Sequence, residues 1–187
     1  RELNPEVLDI ILRKEKNGIP ALSNPLWLSM AIEELNLIDS DDFAYADKEY
    51  KGDSESKLFQ LLLDKATNMP AVVEELYQWI FKRLEKVFGK SFVKSCLGLI
   101  AIGRKGWGER ELEVLVPEIT KEKWVALNWA AMRRLLRAHL VQSDTGLWRF
   151  FHAQMGRSVY KYYLADEIEK EALHLQLSNY LQNLSRD

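Results

Sequence analysis

Hydrophobic residues recur along most of this chain at intervals of three and four, the spacing that places them on one face of a helix. This pattern predicts nine helices, over residues 5–16, 25–35, 55–66, 68–88, 92–102, 109–116, 121–139, 153–163 and 166–184. Two of them begin at an Asn-Pro pair, Asn4-Pro5 and Asn24-Pro25, because asparagine can cap free amides and proline in the first turn loses no hydrogen bond. Asn17-Gly18 predicts the end of the first helix near Lys16.

Polar and proline-containing segments separate some of these helices. The segment Asp39–Asp53 is polar and acidic, and we predict a surface loop there. Pro117 is expected to end the helix that begins at Glu109, because an internal proline removes a hydrogen bond and clashes with the preceding turn. Thr120 then suits the cap of a long helix over Lys121–His139.

A β-hairpin is predicted directly after that long helix. The short runs Leu140–Ser143 and Leu147–Phe151 flank Asp144-Thr145-Gly146, which suits a tight turn with glycine in the left-handed region. Three helices followed by a hairpin is the order of a winged helix. We therefore expect a mainly α protein with a small hairpin. Its predicted parts are a helical bundle domain over residues 1–89, a winged-helix domain over 90–164 and a further helix over 165–187.

Composition is that of a folded protein without an unusual overall charge. Of the 187 residues, 47% are hydrophobic and 29% are charged, and the net charge is −2, so no overall field favours nucleic acid or a membrane. Cys96 is the only cysteine, which excludes an internal disulfide and a cysteine-based zinc cluster. His139 and His174 have no partner at metal-ligand spacing. The chain starts at Arg1 rather than Met, so we expect an internal segment of a longer protein.

No catalytic set can be read from the sequence. The stretch Gly103–Gly108 is rich in glycine, but it lacks the Gly-x-x-x-x-Gly-Lys-Ser/Thr spacing of a phosphate-binding loop and does not follow a strand. The carboxylate pairs Glu33-Glu34 and Glu74-Glu75 are adjacent on helices, where their side chains diverge, and they suit solvated faces. We therefore expect the chain by itself not to be an enzyme, and to hold no metal.

Four strings occur in a characteristic order, namely "SNPLWL", "AVVEELYQWIFKRLEKVFG", "CLGLIAIGRKGWGERELEVLV" and "WRFFHAQMGRSVYKYYL". Together they resemble the region downstream of the ATPase core in NACHT-type STAND NTPases, which are ATP-driven switch proteins related to nephrocystin-like and NOD-like receptors. The resemblance covers nearly the whole chain. It implies an upstream core that carries the Walker A and Walker B motifs, and a repeat region after residue 187.

The resemblance also implies a role for two residues. Pro25 matches the family proline that packs against the adenine of bound ATP or ADP, and His152 matches the histidine that reaches the β-phosphate of ADP. The alternatives are a helix-opening proline without a ligand and a hairpin-end histidine bonded to backbone. Here Ser23 replaces a glycine common in the family, and Phe151-His152-Ala153 replaces Met-His-Asp. The family further implies a cytoplasmic signalling switch, slow ATP hydrolysis by the intact protein, and oligomers when it is activated.

A second hypothesis is a winged-helix DNA-binding module with a helical dimerisation domain. The helix Lys121–His139 occupies the recognition position and carries several cations, of which Arg133, Arg134 and Arg137 form the candidate nucleic-acid or partner face. Its tryptophans and leucines leave little free face, which favours a protein-facing or solvated surface, so nucleic acid is not the expected partner. A third hypothesis is a protein-interaction scaffold that uses the helical surface.

Overall fold

A computed structural model describes residues 4–38 and 40–184, which form a mainly helical protein with two small antiparallel hairpins. The helices are α1 Pro5–Leu12, α2 Pro25–Asn36, α3 Ser40–Glu49, α4 Ser54–Asn68, α5 Val73–Phe88, α6 Lys90–Ile102, α7 Glu109–Thr120, α8 Ala126–Leu135, α9 Ala153–Tyr163 and α10 Glu167–Leu184. The strands are β1 Glu15–Lys16, β2 Ile19–Pro20, β3 Leu140–Gln142 and β4 Trp148–Phe150. The predicted fold class is confirmed.

Contacts divide the chain into two compact units, Arg1–Trp79 and Ile80–Asp187. The division falls inside α5, whereas the sequence analysis placed the domain boundary at Gly89, where this helix ends. Each unit has its own buried side chains, among them Trp27 and Leu76 in the first and Leu97 and Trp129 in the second. Within the described residues, no helix is both long enough and apolar enough to cross a membrane.

Both predicted Asn-Pro helix starts are present in the first unit. The side-chain oxygen of Asn4 accepts a hydrogen bond from the Glu6 amide at 2.9 Å, and that of Asn24 accepts one from the Leu26 amide at 3.0 Å. Each asparagine thereby satisfies an amide that the first turn of its helix leaves unpaired. The sequence therefore identified the starts of α1 and α2 correctly.

The predicted end of the first helix near Lys16 was wrong, because α1 ends at Leu12 and a hairpin follows. Asn17 and Gly18 have φ values of 55° and 75°, and two consecutive left-handed residues form the turn that suits a tight hairpin. The amine of Lys14 reaches the carbonyl oxygens of Thr67 and Met69, both at 2.6 Å, at the end of α4. These contacts tie Lys14 to the end of α4 and favour the hairpin over a continuation of α1.

The predicted acidic loop was also wrong, because residues 40–49 form α3 (Asp39 lies outside the described residues). Lys65 of α4 donates to the Asp42 carboxylate at 2.7 Å and to the Leu37 carbonyl at 3.0 Å, and Ala46 is buried. These contacts with α4 stabilise a helix that its polar sequence does not predict. The helix predicted from residue 68 begins later, at Val73, because α4 continues to Asn68.

The second unit has the order of a winged helix. After α6, Trp107 forms an isolated β-bridge with Trp148, then α7 and α8 precede the hairpin of β3 and β4. The Trp107 amide donates to the Trp148 carbonyl at 3.1 Å, and the Trp148 amide donates to the Trp107 carbonyl at 2.8 Å. The predicted hairpin is confirmed, with Val141 opposite Arg149 and Gly146 at a φ of 82°.

Two predictions for the helices of this unit were wrong. Pro117 lies inside α7, which continues to Thr120, and the Lys121 amide donates to the Pro117 carbonyl at 2.9 Å. Proline lacks only its own amide hydrogen, and its carbonyl can still accept a hydrogen bond. The last turn of α7 therefore forms, with the Lys121 amide bonded to the Pro117 carbonyl. Lys121 then ends α7 with a φ of 61°, and α8 extends only over Ala126–Leu135 rather than Lys121–His139.

The tight approach of the two tryptophan backbones provides a stability prediction for Gly106. This residue has a φ of 91°, and an added Cβ would lie 2.2 Å from the Trp148 carbonyl oxygen. We expect Gly106→Ala to lower the free energy of unfolding by about 3 kcal/mol, because it adds backbone strain and separates the bridge. Gly18→Ala is the control: its φ is 75° but no atom lies within 4 Å, and we expect a loss of about 1 kcal/mol.

Denaturant unfolding followed by tryptophan fluorescence measures this effect, because four of the six tryptophans lie in Ile80–Asp187. Equal losses in Gly106→Ala and Gly18→Ala would contradict the importance of the bridge.

Candidate functional site

Pro25 is exposed at the first position of α2, directly after the cap residue Asn24. A cavity of about 400 Å³ opens beside this helix start. It is lined by Lys16, Asn17, Ile19, Pro20, Ala21, Ser23, Asn24, Trp27, Ala71, Val72 and Val73. The cavity therefore lies within the first unit, between the β1–β2 hairpin, the start of α2 and the start of α5.

The polar side chains around this cavity have partners within the same unit. The Trp27 indole donates to the Pro70 carbonyl at 2.8 Å, and the Ser23 hydroxyl donates to the Pro20 carbonyl at 2.7 Å. Lys16 forms an ion pair with Glu75. Because these groups are already paired, the cavity offers mainly apolar walls. Such walls suit a flat or apolar chemical group better than a phosphate.

His152 lies in the second unit, at the residue before α9. It is half-buried, and the edge of its ring meets the exposed Phe151 ring, with centroids 4.6 Å apart. Its backbone carbonyl accepts from the Met155 amide at 3.1 Å, but its imidazole does not cap the helix. The histidine is thus placed where the unpaired amides of a helix start add a partial positive charge.

The three arginines of the candidate nucleic-acid or partner face have different surroundings. The Arg133 guanidinium lies 4.8 Å from the Trp148 ring centroid and 5.5 Å from that of Trp129, and one of its nitrogens is 3.4 Å from the Glu109 carboxylate. Arg134 and Arg137 are exposed. Arg133 therefore stabilises the packing of α8 on β4, and its charge is partly neutralised by α7.

The sequence analysis missed this cluster of Arg133, Trp129 and Trp148. The two tryptophan rings meet edge to face, with centroids 5.9 Å apart and planes at 87°. Arginine in contact with aromatic faces is favourable by about 0.5–2 kcal/mol. The four-residue spacing of Trp129 and Arg133 was a usable signal, but nothing local indicated that Trp148 and Glu109 would complete the cluster.

The described residues provide no group of three or more His, Cys, Asp or Glu side chains that could hold a metal ion. Cys96 is buried, and burial raises the pKa of its thiol well above the ordinary value. Since the thiolate is the nucleophilic form, this cysteine is a core residue rather than a reactive one.

Comparison with known proteins provides no assignment for this chain. No family model, no curated protein and no solved structure matches it.

The cap of α2 yields a second stability prediction. We expect Asn24→Ala to lower the free energy of unfolding by about 1 kcal/mol, because the Leu26 amide loses its acceptor. Asn24→Asp should keep most of the stability, since its carboxylate can accept the same hydrogen bond. Circular dichroism during denaturant unfolding measures both variants. A loss in Asn24→Asp as large as in Asn24→Ala would show that the cap is not what residue 24 contributes.

Proposed function

We propose that this chain is the regulatory segment of an ATP- and ADP-dependent switch of the NACHT-type STAND class, and that the nucleotide is gripped by an ATPase core elsewhere in the same protein. The observation that supports this most directly is the exposed Pro25 at a capped helix start, next to an apolar cavity that its neighbours Asn24 and Trp27 line and Pro25 itself does not. The winged-helix order of the second unit fits the same class. The core would supply the Walker motifs and hydrolyse ATP slowly, and the segment would act by changing conformation.

Pro25 is suited to contact a nucleotide base. Its ring is rigid, apolar and exposed, and it has no amide hydrogen that a ligand would have to satisfy. The buried Trp27 two residues later fixes the orientation of the helix start, since its indole is bonded to Pro70. A base packed on this ring would gain apolar contact while its polar edge stays available to the core.

His152 is suited to contact a phosphate. An imidazole can donate to phosphate oxygens, and the start of α9 beside it adds the positive end of a helix. In the ADP-bound protein, the contacts of Pro25 and His152 would favour a closed state. Exchange of ADP for ATP would favour an open, oligomer-forming state, because the two nucleotides are held differently. The partners in this proposal are the core and a repeat region of the same cytoplasmic protein.

Duplex recognition by α8 is less well supported. The helix has ten residues, Leu127 at its start is 80% exposed, and Arg133 is engaged with two tryptophans and Glu109. Lys121 and Lys123, which the sequence analysis placed on this helix, precede it. An apolar side chain at the exposed start of a recognition helix does not suit polar base edges and phosphates.

The role of Pro25 predicts a specific loss in the intact protein. Pro25→Ala should weaken ADP binding by about fivefold, because it removes ring atoms that would contact the base. Pro5→Ala is a matched control, since Pro5 is also an exposed first residue of a helix capped by asparagine. The dissociation rate of a fluorescent ADP analogue measures the effect. If the ADP analogue dissociates from Pro5→Ala and from Pro25→Ala at the same rate as from the unmodified protein, Pro25 does not contact the nucleotide.

The role of His152 predicts a larger loss. His152→Ala should weaken ADP binding by about tenfold, because a hydrogen bond to a charged phosphate oxygen is lost. His174→Ala, at an exposed position of α10, should leave ADP retention unchanged. Calorimetric titration of the intact protein with ADP distinguishes them. Equal retention in both histidine variants would remove His152 from the proposed site.

A further inference from the structure

The net charge of −2 hides a strong division of charge between the two units. Residues 1–79 contain 8 basic and 16 acidic side chains, a net charge of −8, whereas residues 80–187 contain 18 basic and 12 acidic side chains, a net charge of +6. The winged-helix unit taken alone therefore has the positive charge that favours a polyanionic partner. A location for that partner must come from the arrangement of the cations.

Three exposed cations lie on two neighbouring segments of this unit, and we call them the basic surface: Arg104, Lys105 and Arg149. Arg104 and Lys105 belong to the loop after α6, and Arg149 belongs to β4. Within the described part of the chain, none of the three forms a salt bridge. Their charges are therefore not neutralised locally, in contrast with that of Arg133.

Backbone contacts bring these segments together. A Cβ built on Gly106 would lie 3.4 Å from the Arg149 Cβ, so the loop that carries Lys105 runs directly beside β4. A Cβ built on Gly156 would lie 3.4 Å from the Phe150 ring, so α9 packs on the Phe150 face of β4, opposite to Arg149. In addition, the Tyr160 hydroxyl donates to the Ala101 carbonyl at 3.3 Å, which joins α9 to the end of α6.

Exposed aromatic rings adjoin the basic surface. Phe151 follows β4 and is 64% exposed, and Tyr160 is 37% exposed on α9. The Phe151 amide donates to the His139 carbonyl at 2.9 Å, so its backbone is held while its ring faces solvent. Cations that follow a phosphate backbone, combined with aromatic rings on which bases stack, are what proteins use to bind single-stranded nucleic acid.

We propose that the basic surface, with Phe151 beside it, binds single-stranded nucleic acid through its phosphates and one stacked base. A duplex would hide its bases from Phe151, which favours a single strand. A membrane-interface site would need a broad apolar face, whereas the apolar contribution beside these cations comes from Phe151 and Tyr160. The proposal does not rest on the ADP switch, although the Phe151 ring contacts the His152 ring, and neither Pro25 nor His152 is changed in the test below.

The test measures fluorescence anisotropy of labelled dT20 and U20 strands with the 187-residue chain at 50 and 200 mM salt. Three phosphate contacts to a single strand predict a loss of affinity of about twentyfold between these salt concentrations. Arg104→Glu/Arg149→Glu should weaken binding at least tenfold at 50 mM salt and make its salt dependence shallower. Lys86→Glu/Lys90→Glu, which changes the net charge equally at exposed positions elsewhere in this unit, should have a small effect.

Stacking is tested separately at residue 151. Phe151→Ala should weaken binding about tenfold without changing its salt dependence, and Phe151→Trp should restore it. If the charge-reversed pair loses its circular dichroism signal on heating earlier than the unmodified chain, Arg104→Gln/Lys105→Gln replaces it, with the same expected direction.

Four results would overturn the proposal. They are absence of binding to either strand at 50 mM salt, binding of a 20-base-pair duplex as tight as that of the strand, equal weakening by the Lys86/Lys90 control pair, and capture by phosphatidylserine vesicles with the same dependence on Arg104 and Arg149. The last result would assign the surface to membranes instead. Stronger binding of dT20 and U20 than of the duplex, lost with the basic surface, would support it.

Discussion

The paired backbone hydrogen bonds between Trp107 and Trp148 are the constraint on which the second unit depends. They attach the loop after α6 to the hairpin, and Gly106 permits the approach because a Cβ there would overlap the Trp148 carbonyl. The Trp148 ring then meets Trp129 of α8, and the Arg133 guanidinium lies over both rings. Since Glu109 of α7 contacts the same guanidinium, one cluster joins the hairpin to two helices.

Both proposed roles of this unit follow from that attachment. Alternation along β4 directs Trp148 and Phe150 to the packed face and leaves Arg149 exposed, because successive side chains of a strand point to opposite faces. Phe150 contacts α9 at Gly156, so the strand also sets where α9 begins and where His152 lies. A change that loosened the bridge would therefore disturb the proposed phosphate contact and the basic surface together, and the Phe151–His152 ring contact also joins the two.

The sequence was most informative where structure is determined locally. The Asn-Pro starts of α1 and α2 and the Gly146 hairpin were predicted because the cap and turn residues act on neighbouring amides. It failed at α3, whose stability comes from Lys65 of α4, and at Pro117, whose carbonyl finds a later partner. The position of Pro25 at the start of α2 was predicted from its cap, whereas the contacts of Arg133 with Trp148 and Glu109 join residues far apart in sequence.

The same distinction between local and summed properties applies to charge. A net charge of −2 led the sequence analysis to expect no field toward nucleic acid, yet residues 80–187 carry +6. Electrostatic interactions between exposed charges fade over about 8 Å at physiological salt, so a bound strand would sense the cations it touches rather than the total of the chain. Charge should therefore be summed over each compact unit. On that basis the charge of the second unit, rather than that of the whole chain, indicates what kind of partner this unit binds.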